Sequence, residues 1–277
     1  MSSSPKALLD SYELHPKKSL GQNFMHDPNA LDKIISSADV TADDTVVEVG
    51  PGTGALTEKL AEKAREVYSI ELDDRLQPVL EDKFNDVPNV YFVFNDILKT
   101  DVPSLVGNHD FIVVANVPYY ISSAIIWHFL EPDHRPKRMV MTMQYEVAER
   151  IMEKPDNMSL LTVAVQFYGK PTIVNKLSPA VFWPRPNIHS AVMRIDTHPT
   201  PPVDVPSAKA FFRVVKAGFS MKRKQLKNSL SGGLQIKSKI AGELLDHANI
   251  DPQRRAETLT IEEWGQLTRA AASQGIV

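Results

Sequence analysis

An amide, a proline and an aromatic ring follow the apolar run FIVVA at 111–115: they are Asn116, Pro118 and Tyr119. An asparagine oxygen, together with a main-chain carbonyl held outward by the proline, can accept both hydrogen bonds of an exocyclic amine. Accepting both protons localises the nitrogen lone pair, and the tyrosine ring offers a flat face for a base. The alternative is a proline turn capped by asparagine, with tyrosines packed on a sheet edge.

The stretch EVGPGTGA at 48–55 is rich in glycine. Gly50 and Gly52 let the backbone turn sharply and approach a ligand closely at a helix N-terminus. The spacing Gly50-x-Gly52-x-x-Ala55 matches a loose dinucleotide pattern, and Glu71 lies where a carboxylate would accept both ribose hydroxyls. A nicotinamide dehydrogenase and an S-adenosylmethionine methyltransferase fit these residues equally well.

Asp96 ends a further apolar run, VYFVFND, where its carboxylate can accept a hydrogen bond from an adenine amine. Its alternative role is to cap a helix or a turn. Open α/β sheets bind ligands at the carboxyl ends of their strands, so Glu71 and Asp96 in succession favour a nucleoside ligand. Hydride transfer has no use for an amine clamp, so Asn116 favours methyl transfer.

Short apolar runs alternate with amphipathic segments over the first two thirds of the chain. Runs rich in Val, Ile and Phe predict buried strands at 45–50, 67–72, 90–96 and 111–116, and KRMVMTMQ and SAVMRID predict two more. Strands that alternate with helices indicate a parallel sheet, so the predicted fold class is α/β, with a Rossmann-like domain.

The segment IDTHPTPPVDVPSA at 195–208 carries four prolines and predicts a linker. Beyond it, apolar and basic stripes recur at helical spacing, Thr260 opens a capping box, and Asp251 before a proline fits a helix start. We therefore predict a catalytic, cofactor-binding α/β domain at 1–200 and a smaller C-terminal helical domain at 206–277.

The composition excludes several classes of site. The chain has no cysteine, so disulfides, thiolate zinc sites and cysteine nucleophiles are excluded, and its eight histidines show no close metal spacing. No apolar run approaches the roughly 18–20 residues that span a bilayer, and the first residues match neither a signal nor a transit peptide. We predict a cytoplasmic monomer with no metal site and no membrane contact.

The net charge of −3 conceals an asymmetry along the chain. Acidic residues outnumber basic ones 13 to 5 at 39–86, whereas 207–242 holds nine Lys or Arg and no acid. Such polarity suggests an anionic partner, and the alternative is a solvated helical face. Within the basic region, Arg223, Lys224 and Lys227 are candidates for phosphate contacts.

Successive motifs resemble those of the small-subunit ribosomal RNA adenine dimethyltransferases, the kasugamycin-resistance methyltransferase family. The motifs are GQNFMHD (21–27), VVEVGPGTGALT (46–57), IELD (70–73), VVANVPYYIS (113–122), QYEVAERI (144–151), FWPRPNIHSAVMRI (182–195) and FSMKRKQLKNSL (219–230). The resemblance implies transfer of two methyl groups from S-adenosylmethionine to each of two adjacent adenines near the 3′ end of small-subunit RNA. It also implies that the RNA is met within a pre-ribosomal particle during small-subunit biogenesis.

The resemblance further implies the roles of individual residues. The implied cofactor-binding residues are Asn23, Met25, Gly50, Gly52, Glu71, Asp96 and Asn116. The implied catalytic residues are Asn116, Pro118, Tyr119 and Phe182. Phe182 is expected to face Tyr119, so that a flipped adenine lies between two rings and the double stack offsets the few kcal/mol that extrusion costs. From the sequence alone, Phe182 fits a core aromatic equally well.

One loop departs from the family, and two rival functions stay open. After Arg150 the family commonly has a Pro-Gly-x-Lys-x-Tyr-Gly-type loop, whereas this chain has the shorter KPDNMSLLTV. One rival is the related adenine methylase of large-subunit RNA that confers macrolide resistance, which usually lacks the second tyrosine. The other is a non-catalytic ribosome-assembly or transcription factor that kept the fold.

Overall fold

The computed structural model describes residues 4–221 and 223–277. Its strands are β1 (Phe24–Met25), β2 (Thr45–Val49), β3 (Glu66–Glu71), β4 (Val90–Phe94), β5 (Phe111–Asn116), β6 (Arg138–Gln144), β7 (Gly169–Leu177), β8 (Phe182–Trp183) and β9 (Ser190–Thr197). Its α-helices are α1 (Pro5–Ser11), α2 (Pro28–Ala38), α3 (Ala55–Ala61), α4 (Gln77–Phe84), α5 (Val102–Val106), α6 (Ser122–Leu130), α7 (Tyr145–Ile151), α8 (Leu160–Tyr168), α9 (Ala208–Gly218), α10 (Leu226–Gly233), α11 (Ser238–His247) and α12 (Ile261–Ser273). Within these described ranges, no helix has the length and apolar character needed to cross a membrane.

Seven strands form one sheet in the order β4-β3-β2-β5-β6-β9-β7. The pairs from β4 to β6 are parallel, and β9 runs antiparallel to β6. The strand order reverses between β2 and β5, which is the switch point where open α/β sheets bind ligands. Both strands are buried along their length except at Asn116, as expected of strands covered on two faces. The predicted Rossmann-like α/β class is confirmed.

The six strands predicted from apolar runs are all present and differ from the predictions only at their ends. The sequence patterns missed β7 and a separate antiparallel ribbon made by β1 and β8. Strand β7 lies at the edge of the sheet and has a neighbouring strand on one side only. The proline at 171 has no N–H to donate, and an edge strand can accommodate it. The ribbon strands have two residues each, which is too short for any hydrophobic period.

The chain divides into two compact units, one of Met1–Ala148 with Lys170–Thr197 and one of Glu149–Gly169 with His198–Val277. The first unit holds the sheet. The second includes α8 from the middle of the chain, because Phe167 stacks on Phe211 of α9 with ring centroids 4.2 Å apart. The helical unit thus takes in a segment that lies within the α/β domain predicted at 1–200.

The second unit is otherwise built from the helices expected beyond residue 206. Ser207 caps α9 by accepting from the Ala210 N–H, and Thr260 opens α12 with the predicted capping box. The helix start predicted at Asp251 is wrong. Its carboxylate accepts from the main-chain N–H of Gln253 (2.9 Å), the contact that an N-cap makes, but the chain forms only a turn there. That turn is closed by the Arg254 N–H, which donates to the main-chain oxygen of Asp251 (3.1 Å).

Candidate active site

The glycine-rich loop between β2 and α3 lies at the switch point of the sheet. Gly50 and Gly52 have φ values of +75° and +58°, a region that favours glycine. A Cβ on Gly50 would lie 3.1 Å from the main-chain oxygen of Asn116, and one on Gly52 would lie 2.9 Å from the ring of Phe24. The loop is therefore packed against the end of β5 on one side and against β1 on the other.

Glu71 ends β3 and is only 7% exposed, and its carboxylate holds this loop. Its Oε2 accepts from the Gly52 N–H (3.1 Å), and its Oε1 accepts from the Asp73 N–H (2.9 Å). Burial raises the pKa of Glu71, and these main-chain hydrogen bonds oppose the rise. Each carboxylate oxygen has a second lone pair, so Glu71 can still accept hydrogen bonds from ribose hydroxyls.

The segment before α2 adds polar contacts beside Glu71. Gln22 donates from Nε2 to Oδ2 of Asp73 (2.7 Å), and Asn23 donates from Nδ2 to the main-chain oxygen of Gly21 (3.0 Å). Gln22 and Asp73 support the Glu71 loop, yet the sequence reasoning assigned neither of them. Both lie inside motifs that carry the family resemblance, GQNFMHD and IELD. Their place in these motifs could have identified them as candidates for the site.

The ribbon of β1 and β8 brings two distant motifs together. Met25 pairs with Phe182, and Phe24 pairs with Trp183. Met25 and Phe182 line the cavity at the switch point and are both 3% exposed. Phe182 therefore lies at the site and also belongs to the hydrophobic core.

Asp96 follows β4 and is half-buried. Its Oδ1 accepts from the Leu98 N–H (3.0 Å) and caps the 3₁₀ turn Ile97–Lys99, so the capping role is present. Its Oδ2 lies 3.9 Å from Nζ of Lys99. A carboxylate offers about four acceptor sites, so the cap leaves capacity for a ligand amine.

Asn116 ends β5, directly across the switch point from Gly50. Its Oδ1 accepts a hydrogen bond from Oγ1 of Thr142 at 2.7 Å. Thr142 is the register partner of Asn116 on β6 and is 1% exposed. Nothing in the sequence pattern identified Thr142, which lies within an apolar strand. One lone pair of the Asn116 oxygen stays available for an incoming donor.

Pro118 leads into the 3₁₀ turn Tyr119–Ile121, which places Tyr119 half-buried at the cavity. The phenol oxygen of Tyr119 forms a hydrogen bond with Oγ of Ser190 at 2.7 Å. Ser190 begins β9 and is fully buried. Burial raises the pKa of Tyr119, so its hydroxyl stays protonated at neutral pH and is no candidate for a general base.

These residues surround one cavity, which opens in part to solvent. The predicted residues that line it are Asn23, Met25, Gly50, Gly52, Glu71, Asp96, Asn116, Pro118, Tyr119 and Phe182. They fit the S-adenosylmethionine that the resemblance implies. The glycines allow close backbone approach, the buried Glu71 carboxylate has lone pairs for a ribose, and Asp96 has capacity for an adenine amine.

A second buried carboxylate, Glu48, lies on β2 beneath the glycine loop and is 1% exposed. Its Oε2 accepts from the hydroxyls of Thr57 (2.7 Å) and Ser69 (2.6 Å). In the part of the chain that the structure describes, its Oε1 has no hydrogen-bond partner. Burial raises the pKa of Glu48 to about 7, so its proton is more strongly held in the folded protein than in the unfolded chain.

We expect the difference in free energy of unfolding between Glu48→Gln and the wild type to shift in favour of the variant between pH 5 and pH 8. The raised pKa means that the stability contributed by protonated Glu48 is present below about pH 4.5 and is lost as the pH rises to about 7. The gap corresponds to about 3 kcal/mol, which the neutral glutamine does not lose. Urea unfolding of both proteins at the two pH values measures the difference, and an equal pH dependence would contradict it.

The predicted RNA-contacting residues belong to the second unit. Arg223 and Lys224 are exposed in the turn between α9 and α10. Lys227 lies in α10 and is half-buried, with its side chain 3.4 Å from the position of a Cβ on Gly242. Lys222, from the same basic cluster, lies outside the described residues.

Comparison with known sequences finds one family along most of the chain. The model of the family described as ribosomal RNA adenine dimethylase matches residues 14–268. The chain is 43% identical over 263 residues to the ribosomal RNA small subunit methyltransferase A of Dehalococcoides mccartyi strain CBDB1, covering 95% of this chain and 90% of the relative. It is 43% identical over 266 residues to the protein of that name from Clostridium botulinum strain Loch Maree, covering 95% and 96%.

Solved structures with the same architecture are also found. A dimethyladenosine transferase from Plasmodium falciparum is 25% identical, with a TM-score of 0.77 over 91% of this chain and 98% of the other. The 23S rRNA methyltransferase ErmE is 29% identical, with a TM-score of 0.71 over 90% of this chain and 99% of the other. Both cover nearly the whole length of this chain.

Proposed function

The chain belongs to the ribosomal RNA adenine dimethylase family, and we propose that its target is the pair of adjacent adenines in the 3′-terminal hairpin of small-subunit ribosomal RNA. It is an S-adenosylmethionine-dependent adenine dimethyltransferase, and each adenine receives two methyl groups. The observation that carries this function is the position of Asn116 at the switch point, in one cavity with Glu71 and the glycine loop. Such an amide suits an enzyme that orients an amine.

When bound, S-adenosylmethionine supplies a methyl group on a positively charged sulfur. Glu71 would bind its ribose hydroxyls, Asp96 would accept from its adenine amine, and Gly50 and Gly52 would admit it close to the backbone. The side chains of Met25 and Phe182 add apolar surface to the same cavity. These assignments rest on burial and acceptor capacity, which suit a nucleoside with an amine at one end.

Asn116 orients the target amine. Its Oδ1 has one lone pair left, and a main-chain carbonyl beside Pro118 supplies the second acceptor. The carbonyl of Pro118 uses one of its two lone pairs on the Ile121 N–H (3.2 Å). The turn and loop hydrogen bonds of the described residues include none to the carbonyl of Val117, so we take this carbonyl as the candidate. Two acceptors keep the nitrogen lone pair localised, and the nitrogen loses its proton to water after transfer. Catalysis then comes from orientation and electrostatics rather than from a strong base.

Tyr119 would stack against the adenine that carries the target amine. Its ring lies at the cavity and its hydroxyl is turned to Ser190, so the ring face is available for stacking. Stacking on an aromatic ring contributes roughly 1–3 kcal/mol per base. Phe182 lines the same cavity and would contact the opposite face of the adenine.

We further propose that the enzyme acts as a monomer on a pre-ribosomal particle in the cytoplasm, where small subunits are assembled. Two observations support this setting. The cavity is formed entirely by residues of the first unit, so a second copy is not needed to complete it. Arg223 and Lys224 present exposed charge that can contact phosphates without reading sequence.

Replacing both Arg223 and Lys224 by alanine is expected to weaken binding of all RNAs alike and to lower the salt dependence. Each lost phosphate contact reduces the slope of log affinity against log salt by about 1, so the pair should reduce it by about 2. Filter binding over a range of salt concentrations measures this slope. Lys63→Ala removes an exposed charge from the first unit and serves as the control. An unchanged slope would exclude these two residues from the RNA interface.

The function is tested by transfer of labelled methyl groups to purified ribosomal subunits from cells that lack this modification. We expect two adjacent dimethyladenosines in the small-subunit hairpin, read by mass analysis of the RNA fragment. Transfer to large subunits alone would favour the macrolide-resistance methylase. No transfer to either subunit, with cofactor binding intact, would favour an assembly factor. The small-subunit target is favoured because the relatives at 43% identity carry that name.

A further inference from the structure

Two buried hydroxyls contact the two side chains that would face the substrate base. Thr142 donates to Oδ1 of Asn116 at 2.7 Å, and Ser190 lies 2.7 Å from the phenol oxygen of Tyr119. Thr142 is 1% exposed and Ser190 is 0% exposed, so neither is placed to touch RNA itself. Each hydroxyl acts on the cavity only through its partner.

The strand register places these hydroxyls together. Strands β6 and β9 are antiparallel neighbours in which Thr142 pairs with Val192 and Gln144 pairs with Ser190. Paired residues point to the same side of a sheet, and residues two apart on one strand share that side. Thr142 and Ser190 therefore lie diagonally opposite each other on one face, at the end of the sheet where Asn116 lies.

We propose that Thr142 and Ser190 are positioning residues of the methyl transfer, with Thr142 fixing the amide of Asn116 and Ser190 fixing the ring of Tyr119. The inference rests on the proposed roles of Asn116 and Tyr119. Without the Thr142 hydrogen bond, the Asn116 side chain at the strand end is free to leave the orientation in which its oxygen faces the cavity. Without Ser190, the Tyr119 ring is free to tilt.

The expected size of the effect follows from the geometry of transfer. A misplacement of about 1 Å at the reacting atoms costs about 100-fold in rate. We expect Thr142→Val, which has nearly the same shape but no hydroxyl, to lower the single-turnover rate of methyl transfer about 10- to 100-fold. The Kd for S-adenosylmethionine and the KM for small subunits should stay within about twofold, because the contacts to those ligands are unchanged.

The conservative variant separates positioning from mere packing. Thr142→Ser keeps the hydroxyl and loses a methyl group, so it should recover most of the rate despite leaving a small cavity. Thr45→Val removes another buried hydroxyl of the same sheet, one that accepts from Arg65 at 2.7 Å and lies at the start of β2. This control should keep the wild-type rate even if its thermal midpoint falls.

The Ser190 arm is tested by a double-mutant cycle. Ser190→Ala and Tyr119→Phe each remove one side of the same hydrogen bond while the ring stays, so each should lower the rate by a similar factor. The double variant should be no slower than the slower single variant. Effects that multiply would show that the two groups act separately and would overturn this part of the proposal.

The proposal is overturned if Thr142→Val transfers methyl groups at the wild-type rate, or if Thr142→Ser is as slow as Thr142→Val. The wild-type protein is measured in the same assay on small subunits. If the wild-type protein transfers no methyl group, the proposed function itself fails. If the wild-type protein is active and the variants match it, only the positioning roles fail.

Discussion

Replacement of Asn116 by alanine is expected to slow methyl transfer about 10²- to 10³-fold, the usual cost of removing one preorganised polar group beside the reacting atom. The alanine variant loses the side-chain acceptor for the amine while the fold around it is kept. The affinity for small subunits should change little, because the basic residues near 223 are untouched. The affinity for S-adenosylmethionine should fall far less than the rate, because Glu71 and the glycine loop are kept although Asn116 is also an implied cofactor contact. Single-turnover assays with both substrates saturating measure the loss.

Two further variants make the Asn116 result specific. Asn116→Asp keeps an oxygen that can accept from Thr142 and from the amine, so it should retain more activity than Asn116→Ala. Asn108→Ala makes the same replacement at an exposed position in a turn and should be fully active. Alanine at 116 also leaves the buried Thr142 hydroxyl without its acceptor, at about 1–3 kcal/mol of stability. Transfer within about tenfold of wild type would show that the amide does not orient the amine.

The second large effect is expected on cofactor affinity. Glu71→Gln should weaken S-adenosylmethionine binding by about 10- to 100-fold, because hydrogen bonds to a charged acceptor contribute about 1.5–3 kcal/mol. An amide nitrogen would also face one of the two main-chain N–H groups, of Gly52 or Asp73, that the carboxylate now accepts from. The glycine loop would then lose part of its support. Calorimetric titration measures the Kd directly.

A pH series adds a second test of Glu71. Burial raises the pKa of its carboxylate, so protonation begins at a higher pH than for an ordinary glutamate. Since the ionised form is the better acceptor, cofactor affinity should fall as the pH is lowered, and Glu71→Gln should remove this fall. Glu66→Gln, at the other end of β3, is the matched control and should bind as wild type does. Equal affinity of wild type and Glu71→Gln would exclude the ribose contact.

The central strands, and the residues that follow them at the cavity, were predictable because the sequence signal of each strand is local. Apolar runs bounded by polar residues gave β2, β3, β4 and β5 with small errors at the ends. Parallel strands of an α/β sheet all carry ligand-facing residues at their carboxyl ends, so chain order alone placed four residues in one cavity. These residues are Gly50, Glu71, Asp96 and Asn116.

Local sequence patterns failed where an element is too short to have a pattern, or where contacts with other segments determine its structure. The two-residue strands β1 and β8 exist because they pair with each other, and neither has a pattern of its own. Asp251 precedes a proline as helix starts often do, and its carboxylate makes the capping contact, yet the chain forms only a turn after it. The segment 149–169 belongs to the helical unit because Phe167 stacks on an aromatic ring of α9. The sequence of the segment itself does not indicate this distant contact.

The sequence by itself determined the chemistry of this protein: the amide, the glycine loop and the carboxylates, their order along the chain, and the family they mark. Only the tertiary structure decided which hydroxyls hold that chemistry in place, because strand order and register arise from contacts between distant segments. Thr142 meets Asn116 through the pairing of β5 with β6, and Ser190 meets Tyr119 across 71 positions of chain. Such partners depend on the whole sheet being formed, and no local pattern can encode them.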